Sequence, residues 1–245
     1  MTLYETLLPQ RERLARACRV MGKLDITKST YGHISMRVAA AAADGSDLVL
    51  IRARGPGESG IRYTAADDII LVDLDGGRVA GRDDLHVPKE VFIHTQLMRA
   101  RPDVQSVLHA HPATVILFTI CDKPLLPLFG AYDPQALRLV RRELSYYDRS
   151  ILISDDDKGR TLAEAIRSSK ACLMRGHGIT TCGATVEETT LTAIRLNDVA
   201  ELNYRAYLLG NPRPISDEDI ETFEHGKDVE WASYWRYYCR LVDEA

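Results

Sequence analysis

The stretch Val107-Leu108-His109-Ala110-His111-Pro112 places two imidazoles two residues apart. In an extended strand successive side chains alternate faces, so Val107, His109 and His111 share one face and Leu108 and Ala110 the other. Pro112 ends the ladder by removing a donor. Two imidazoles on one face can share a metal ion, although such a pair in isolation is more often solvated or hydrogen-bonded. His177 lies within Arg175-Gly176-His177-Gly178, where flanking glycines let the backbone bend and approach an ion closely; alone it reads equally as a loop histidine. Glu90 falls in the first turn of a helix opened by Pro88, where a carboxylate ordinarily complements the helix dipole, and His94 lies four residues on along the same face. Together the three histidines and one carboxylate suit a divalent ion with a position left open for substrate. The carboxylate would be a fourth ligand or an acid/base.

The elements that must position these groups follow from periodicity and punctuation. An amphipathic helix is expected from Gln10 to Met21, stopped by Gly22. Tyr31 to Val38 alternates as a strand, with Ile34, Met36 and Val38 inward and His33, Ser35 and Arg37 sharing the other face. That polar face is either solvated or one wall of a substrate site, and periodicity alone favours solvation. Asp47 to Arg52 reads as a strand, Arg54 to Gly60 as a glycine-rich loop, and Ile69 to Ala80 as a hairpin turning at Asp75-Gly76-Gly77. Two arginines beside that loop could grip a carboxylate or phosphate, or could simply be solvated.

Helices are expected from Pro88 to Arg99, from Pro112 to Ile120, and from an Asp133 N-cap and Pro134 to Leu144. Ser150 to Ser154 reads as a strand. Asp155-Asp156-Asp157 reads as the capped start of a helix and not as a metal site, since three consecutive acids cannot face one ion. A buried strand from Ala171 to Met174 leads into the His177 turn. Thr185-Val186-Glu187-Glu188 reads as a capping box opening a helix to Leu209. In the tail, Trp231, Tyr234, Trp235 and Tyr238 share a helical stripe suited to packing or subunit contact. Interleaved strands and helices point to a sheet covered on both faces.

Composition narrows the function classes. With 245 residues, 45% hydrophobic and 27% charged, the chain can bury a substantial core, and nothing marks an interior domain boundary. We expect one domain over residues 1–245, with 211–245 as an aromatic-rich C-terminal extension. A net charge of −4 leaves no electrostatic footprint for nucleic acid. The apolar run around Val115 to Ile120 is too short to span a bilayer, and Arg11, Glu12, Arg13 and Arg16 interrupt any signal-like region. Five cysteines without C-x-x-C spacing read as core thiols of a reducing compartment, so a cytoplasmic location is expected.

With these motifs in order, the chain resembles the class II aldolase/adducin family from about Leu14 to Gly210. The resemblance is carried by Gly32-His33-Ile34-Ser35 with Arg37, Val72-Asp73-Leu74-Asp75-Gly76, Glu90 with Ile93-His94, and Arg99 to Asp103. His109-Ala110-His111-Pro112 and Arg175-Gly176-His177-Gly178 complete it. It implies a three-layer α/β/α fold with a mixed, mostly antiparallel central sheet, and a homotetramer with sites at subunit interfaces. It also implies one divalent ion per site (zinc, manganese or iron) on His109, His111 and His177, with Glu90 as catalytic acid/base.

Sugar-phosphate aldolases of the family carry Gly-Asn near the first strand and Ser-Ser before the glutamate, both used on phosphate. Here those positions hold Gly32-His33 and Pro88-Lys89. The segments Arg54 to Glu58 and Val87 to Glu90 look more like the branch of hydroxyaromatic decarboxylases acting on dihydroxyphthalate-type and hydroxypyridine-dicarboxylate substrates. The expectation is therefore a metal-dependent carbon–carbon lyase, favoured as a decarboxylase of a hydroxylated aromatic or heteroaromatic acid. The alternatives are cleavage of a ketose or ketose phosphate, an iron-dependent oxygenase, and an adducin-like scaffold, the last opposed by retention of all four site residues. His33, Ser35, Arg37, Arg54, Lys89 and Tyr132 are the candidates for orienting a small anionic substrate.

Overall fold

Alternating burial along the strands divides the interior into two apolar layers. On one side lie Ile34, Leu50, Leu71, Leu108, Ala110 and Ile179; on the other lie Val49, Ile51, Ile70, Val107, Met174 and Cys182. Each fully buried aliphatic side chain of this kind contributes roughly 1.5–3 kcal/mol of transfer free energy. Neither layer can face water, so helices cover both.

The structure, a computed structural model, describes residues 1–128, 133–224 and 231–243. Helices α1 (Leu3–Thr6) and α2 (Leu8–Lys23) lead into strands β1 (His33–Val38), β2 (Leu48–Arg52), β3 (Ile69–Asp73) and β4 (Arg78–Ala80). Helix α3 (Val91–Ala100), β5 (Ser106–Ala110), α4 (Ala113–Ile120), α5 (Pro134–Arg142), β6 (Leu144–Tyr147) and α6 (Asp156–Ile166) follow. The chain continues through β7 (Ala171–Met174), β8 (Gly178–Gly183), α7 (Val186–Leu209), α8 (Asp217–Glu224) and α9 (Trp231–Asp243).

Among the described residues the strands form one eight-stranded sheet in the order β4-β3-β2-β1-β5-β8-β7-β6. Every neighbouring pair is antiparallel except β6–β7. Helices α3 and α6 pack together on one face, while α2, α4, α7 and α9 cover the other. This is the expected three-layer fold with a mixed, mostly antiparallel sheet. Strand β5 sits centrally between β1 and β8, with His33 opposite His109 and His109 opposite Thr180.

Several local expectations change. Gly22 does not stop α2; it is buried inside the helix, where an added Cβ would stand 2.7 Å from the Arg62 Cα. Helix α3 begins at Val91, so Glu90 is its N-cap residue and not a first-turn residue. Residues 150–154 form no strand, whereas β6 and β8 do. Thr185 caps α7 by accepting from the Glu188 N–H at 3.1 Å, but the Glu188 carboxylate accepts from Ala184 and Lys170, leaving the reciprocal half of the box unmade. Cys121 is exposed, unlike the other four thiols, which are buried. Asp155 caps α6 as expected, accepting from Lys158 N–H at 3.0 Å. The tail stripe packs: Arg195 lies over the rings of Trp231 and Tyr234, 4.8 and 5.1 Å from their centroids. No helix among the described residues is long and apolar enough to cross a membrane.

Candidate metal centre

Strand alternation turns His109 and His111 to one face of β5, and the turn after β7 returns His177 to the same place. That turn needs Gly176 at φ +59°, and it needs Gly178, where an added Cβ would lie 2.2 Å from the Ala110 carbonyl oxygen. Glu90 arrives from the helical layer that covers this face: its side chain makes no cap hydrogen bond to α3, leaving the carboxylate free to face the histidines. The result is a group of four potential ligand atoms, from Glu90, His109, His111 and His177, all within 4.8 Å of one another.

The contacts inside this group are close. His109 Nε2 lies 2.9 Å from His111 Nε2 and 3.5 Å from Glu90 Oε2, and His177 Nε2 lies 3.4 Å from Glu90 Oε1. The third carboxylate contact is to the backbone, since Ile153 N–H donates to Glu90 Oε1 at 3.0 Å. Burial, and then the neighbouring imidazoles, push His109 well below its usual range against the pull of Glu90. Burial and His177 likewise take His111 down to about 4. Burial works to raise Glu90, but the hydrogen bond from His177, the electrostatic interaction with His109 and the Ile153 N–H outweigh it and leave the carboxylate at about 2.

These residues fit a divalent cation. His109 Nδ1 faces the Ile179 carbonyl at 2.9 Å, an acceptor that requires the proton on Nδ1. The Nε2 lone pair of a neutral ring therefore points into the group, at another imidazole nitrogen and a carboxylate. Converging lone pairs and negative charge in a buried place repel unless a cation sits among them. The backbone carbonyl behind His109 is the kind of partner that orients a metal-ligating imidazole.

The remaining expected residues divide. His33 and Ser35 are at the centre and buried, at 3% and 0% exposure, so the polar face of β1 is not the solvated face that periodicity favoured. Helix α3 covers it: His94 Nε2 lies 2.6 Å from His33 Nδ1, and His94 Nδ1 lies 2.7 Å from Ser35 Oγ. His94, which shares a helix face with Glu90 in sequence, therefore bonds to β1. Arg54 stands near the site. Its Cζ lies 5.8 Å from the Tyr31 ring centroid, and that ring lies 5.7 Å from the His111 ring. The Arg54 Nη1 atom is buried without a hydrogen-bond partner among the described residues, its nearest acid being Glu58 Oε1 at 3.7 Å.

Arg52, by contrast, is fully buried and committed to Thr64, the Thr30 and Gly32 carbonyls and Glu58. Arg37 is not brought to the histidines: its guanidinium binds Asp47 and the carbonyls of Val104, Met98 and Arg101. Lys89 is exposed. Tyr132 lies outside the described residues. His94 and Tyr31 were not among the expected substrate contacts; His94 was marked only by its i+4 spacing from Glu90, and Tyr31 by nothing but adjacency to Gly32.

Fold and site define a class. The chain belongs to the class II aldolase and adducin N-terminal domain family, whose profile matches residues 12–204. Among curated proteins it is 33% identical over 240 residues to the 3,4-dihydroxyphthalate decarboxylase of Arthrobacter keyseri, covering 96% of this chain and 94% of that one. It is also 33% identical over 229 residues to the enzyme of the same name from Rhodococcus jostii, covering 91% of this chain and 92% of that one. Among solved structures, an aldolase II superfamily protein from Pseudomonas syringae superposes with a TM-score of 0.83 at 23% identity, over 100% of this chain and 95% of that chain.

Proposed function

We propose that the protein is a divalent-metal-dependent decarboxylase of a hydroxylated aromatic dicarboxylic acid, of which 3,4-dihydroxyphthalate is the first candidate. The observation that carries this reading is the buried group formed by Glu90, His109, His111 and His177. The two decarboxylase relatives, alike over nearly the whole chain, support the choice of reaction. His109, His111 and His177 would hold the ion; imidazole nitrogens suit zinc, manganese and iron alike. When bound, the ion supplies a Lewis acid that polarises substrate oxygens and steadies negative charge as the carbon–carbon bond breaks.

The chain's own groups do the rest. Glu90, ionised and held by the Ile153 N–H, takes a proton from a substrate hydroxyl and returns it to the ring carbon that carbon dioxide leaves. Arg54, whose buried Nη1 has no hydrogen-bond partner among the described residues, provides a guanidinium for the carboxylate that stays on the ring. Tyr31 forms the exposed aromatic wall between Arg54 and His111. His33 lines the floor, with His94 and Ser35 behind it. A homotetramer with inter-subunit sites is part of the same reading, supported by the family and by the exposed Leu208, Leu209 and Tyr237.

The test is metal analysis of the purified protein followed by carbon dioxide release from a panel of hydroxyaromatic acids headed by 3,4-dihydroxyphthalate. A stoichiometric divalent metal and metal-dependent release are expected. Protein that takes up no divalent metal would sink the proposal. Aldehyde release from a ketose phosphate without any decarboxylation would overturn the reaction and leave the site standing.

A further inference from the structure

His94 is the one member of the histidine cluster that the proposed chemistry leaves without a task. It is completely buried, carried by α3, and joined at both nitrogens: Nδ1 to Ser35 Oγ at 2.7 Å and Nε2 to His33 Nδ1 at 2.6 Å. The His33 ring lies between those of His94 and His109, with centroids 4.8 and 5.3 Å away. Its Nδ1 is taken by His94, so Nε2 is the only ring nitrogen left to meet a ligand.

Each link in this line holds one proton, so its polarity decides what His33 offers. At the inner end stands the Val107 carbonyl, which can only accept; it takes the Ser35 hydroxyl at 3.4 Å and also lies against His94. That terminus directs the Ser35 proton to Val107 and the His94 Nδ1 proton to Ser35. His94 Nε2 is then a bare acceptor that takes the proton on His33 Nδ1. Burial holds His94 at about 3, against the opposing pull of Glu90 and the Val107 carbonyl, so the line is built of neutral rings.

Resting on the hydroxylated-substrate reading above, we infer that His94 is a positioning residue that pins His33 as the Nδ1–H tautomer, so that His33 Nε2 accepts a hydrogen bond from a substrate hydroxyl. A lone pair fixed at that point selects for a ligand with a donor and against an acceptor-only group such as a phosphate or a methyl ether. A buried imidazole held from behind differs in this from a freely rotating amide, which can present either N–H or C=O.

The decisive measurement needs no substrate. Magic-angle-spinning 15N spectra of the full, metal-loaded chain labelled at histidine, with His33→Asn used for assignment, report which nitrogen of His33 carries the proton. Nδ1–H is expected; a proton on Nε2 overturns the inference. The second arm compares His94→Leu with His94→Gln, since the glutamine oxygen can still accept from His33 Nδ1 and its amide can still donate toward Ser35. The wild-type protein and His94→Gln should prefer catechol over its monomethyl ether by the same factor. In His94→Leu that preference should shrink about tenfold, the worth of one hydrogen bond to a fixed acceptor, with metal content unchanged.

An unchanged preference in His94→Leu overturns the inference even if its activity falls, because a merely structural role would lower activity without touching the ratio. Failure of every hydroxyaromatic acid to release carbon dioxide would count against the proposed function alone. The tautomer of His33 would still be read.

Discussion

Ile153 N–H donates to Glu90 Oε1 at 3.0 Å, tying a carboxylate at the mouth of α3 to the backbone of the segment before α6. The bond fixes one oxygen and leaves Oε2 facing His109 at 3.5 Å. The arrangement suits the proposed proton exchange, since one oxygen is restrained while the other is not held by the backbone.

Glu90→Gln preserves an acceptor for the Ile153 N–H and removes the proposed base. Metal content should stay within a factor of two of the wild type, while kcat falls by about 10²–10⁴, the usual worth of a positioned acid/base. The comparison needs elemental analysis and single-turnover assays on the same samples. A variant that retains full turnover would show that Glu90 is not the acid/base; one that loses its metal would make it a ligand.

Arg54 and Arg52 lie two residues apart and serve opposite ends. Arg52 has its donors taken by Thr64, two carbonyls and Glu58, whereas the buried Nη1 of Arg54 has no hydrogen-bond partner among the described residues. Arg54→Gln should raise KM for a dicarboxylate by about tenfold to a hundredfold, as for a lost charge-assisted bond, and leave KM for a substrate lacking the second carboxylate nearly unchanged. Arg54→Lys should recover part of the loss. Equal damage to both substrates would mean that Arg54 supports the loop and does not read the carboxylate.

How far the sequence reached depended on what periodicity can report. Alternation along β5 was enough to face His109 and His111 together and to put Leu108 in the other layer. Alternation along β1 correctly grouped His33 with Ser35, but a period-two pattern does not tell whether a face is covered, and α3 covers this one. Strand β8 was invisible because Gly178, Thr180 and Thr181 carry no apolar rhythm; its register comes from β5 and β7 on either side. Residues 150–154 have a strand-like composition but no ladder partner. Arg37 and Arg54 looked alike as candidates, and only the tertiary placement of Asp47, Met98 and Val104 committed one and not the other.

Thiol chemistry should follow burial. Desolvation pushes Cys18, Cys172 and Cys182 up to about 11 and raises Cys239, while Cys121 is exposed. The thiolate is the reactive form, so a group whose pKa stands at about 11 is almost wholly protonated at neutral pH. Of the five thiols, one should react rapidly with a disulfide reagent near pH 8 in the native protein, and peptide mapping should place it at Cys121. Rapid modification of two or more would contradict the packing of at least one of α2, β7, β8 and α9.

Gly178 carries the last prediction, because it links the sheet to the metal group through space and not through chemistry. An added Cβ would stand 2.2 Å from the Ala110 carbonyl oxygen and 2.8 Å from the His111 Cδ2. The first contact is backbone and cannot swing aside, so β5 and β8 must separate or the His111 ring must move. Overpacking of this kind costs about 1–3 kcal/mol. Gly178→Ala should therefore lower the melting temperature and weaken metal retention together. A Gly178→Ala protein that keeps its metal against a chelator as well as the wild type does would show that His111 is not held by the β5–β8 contact.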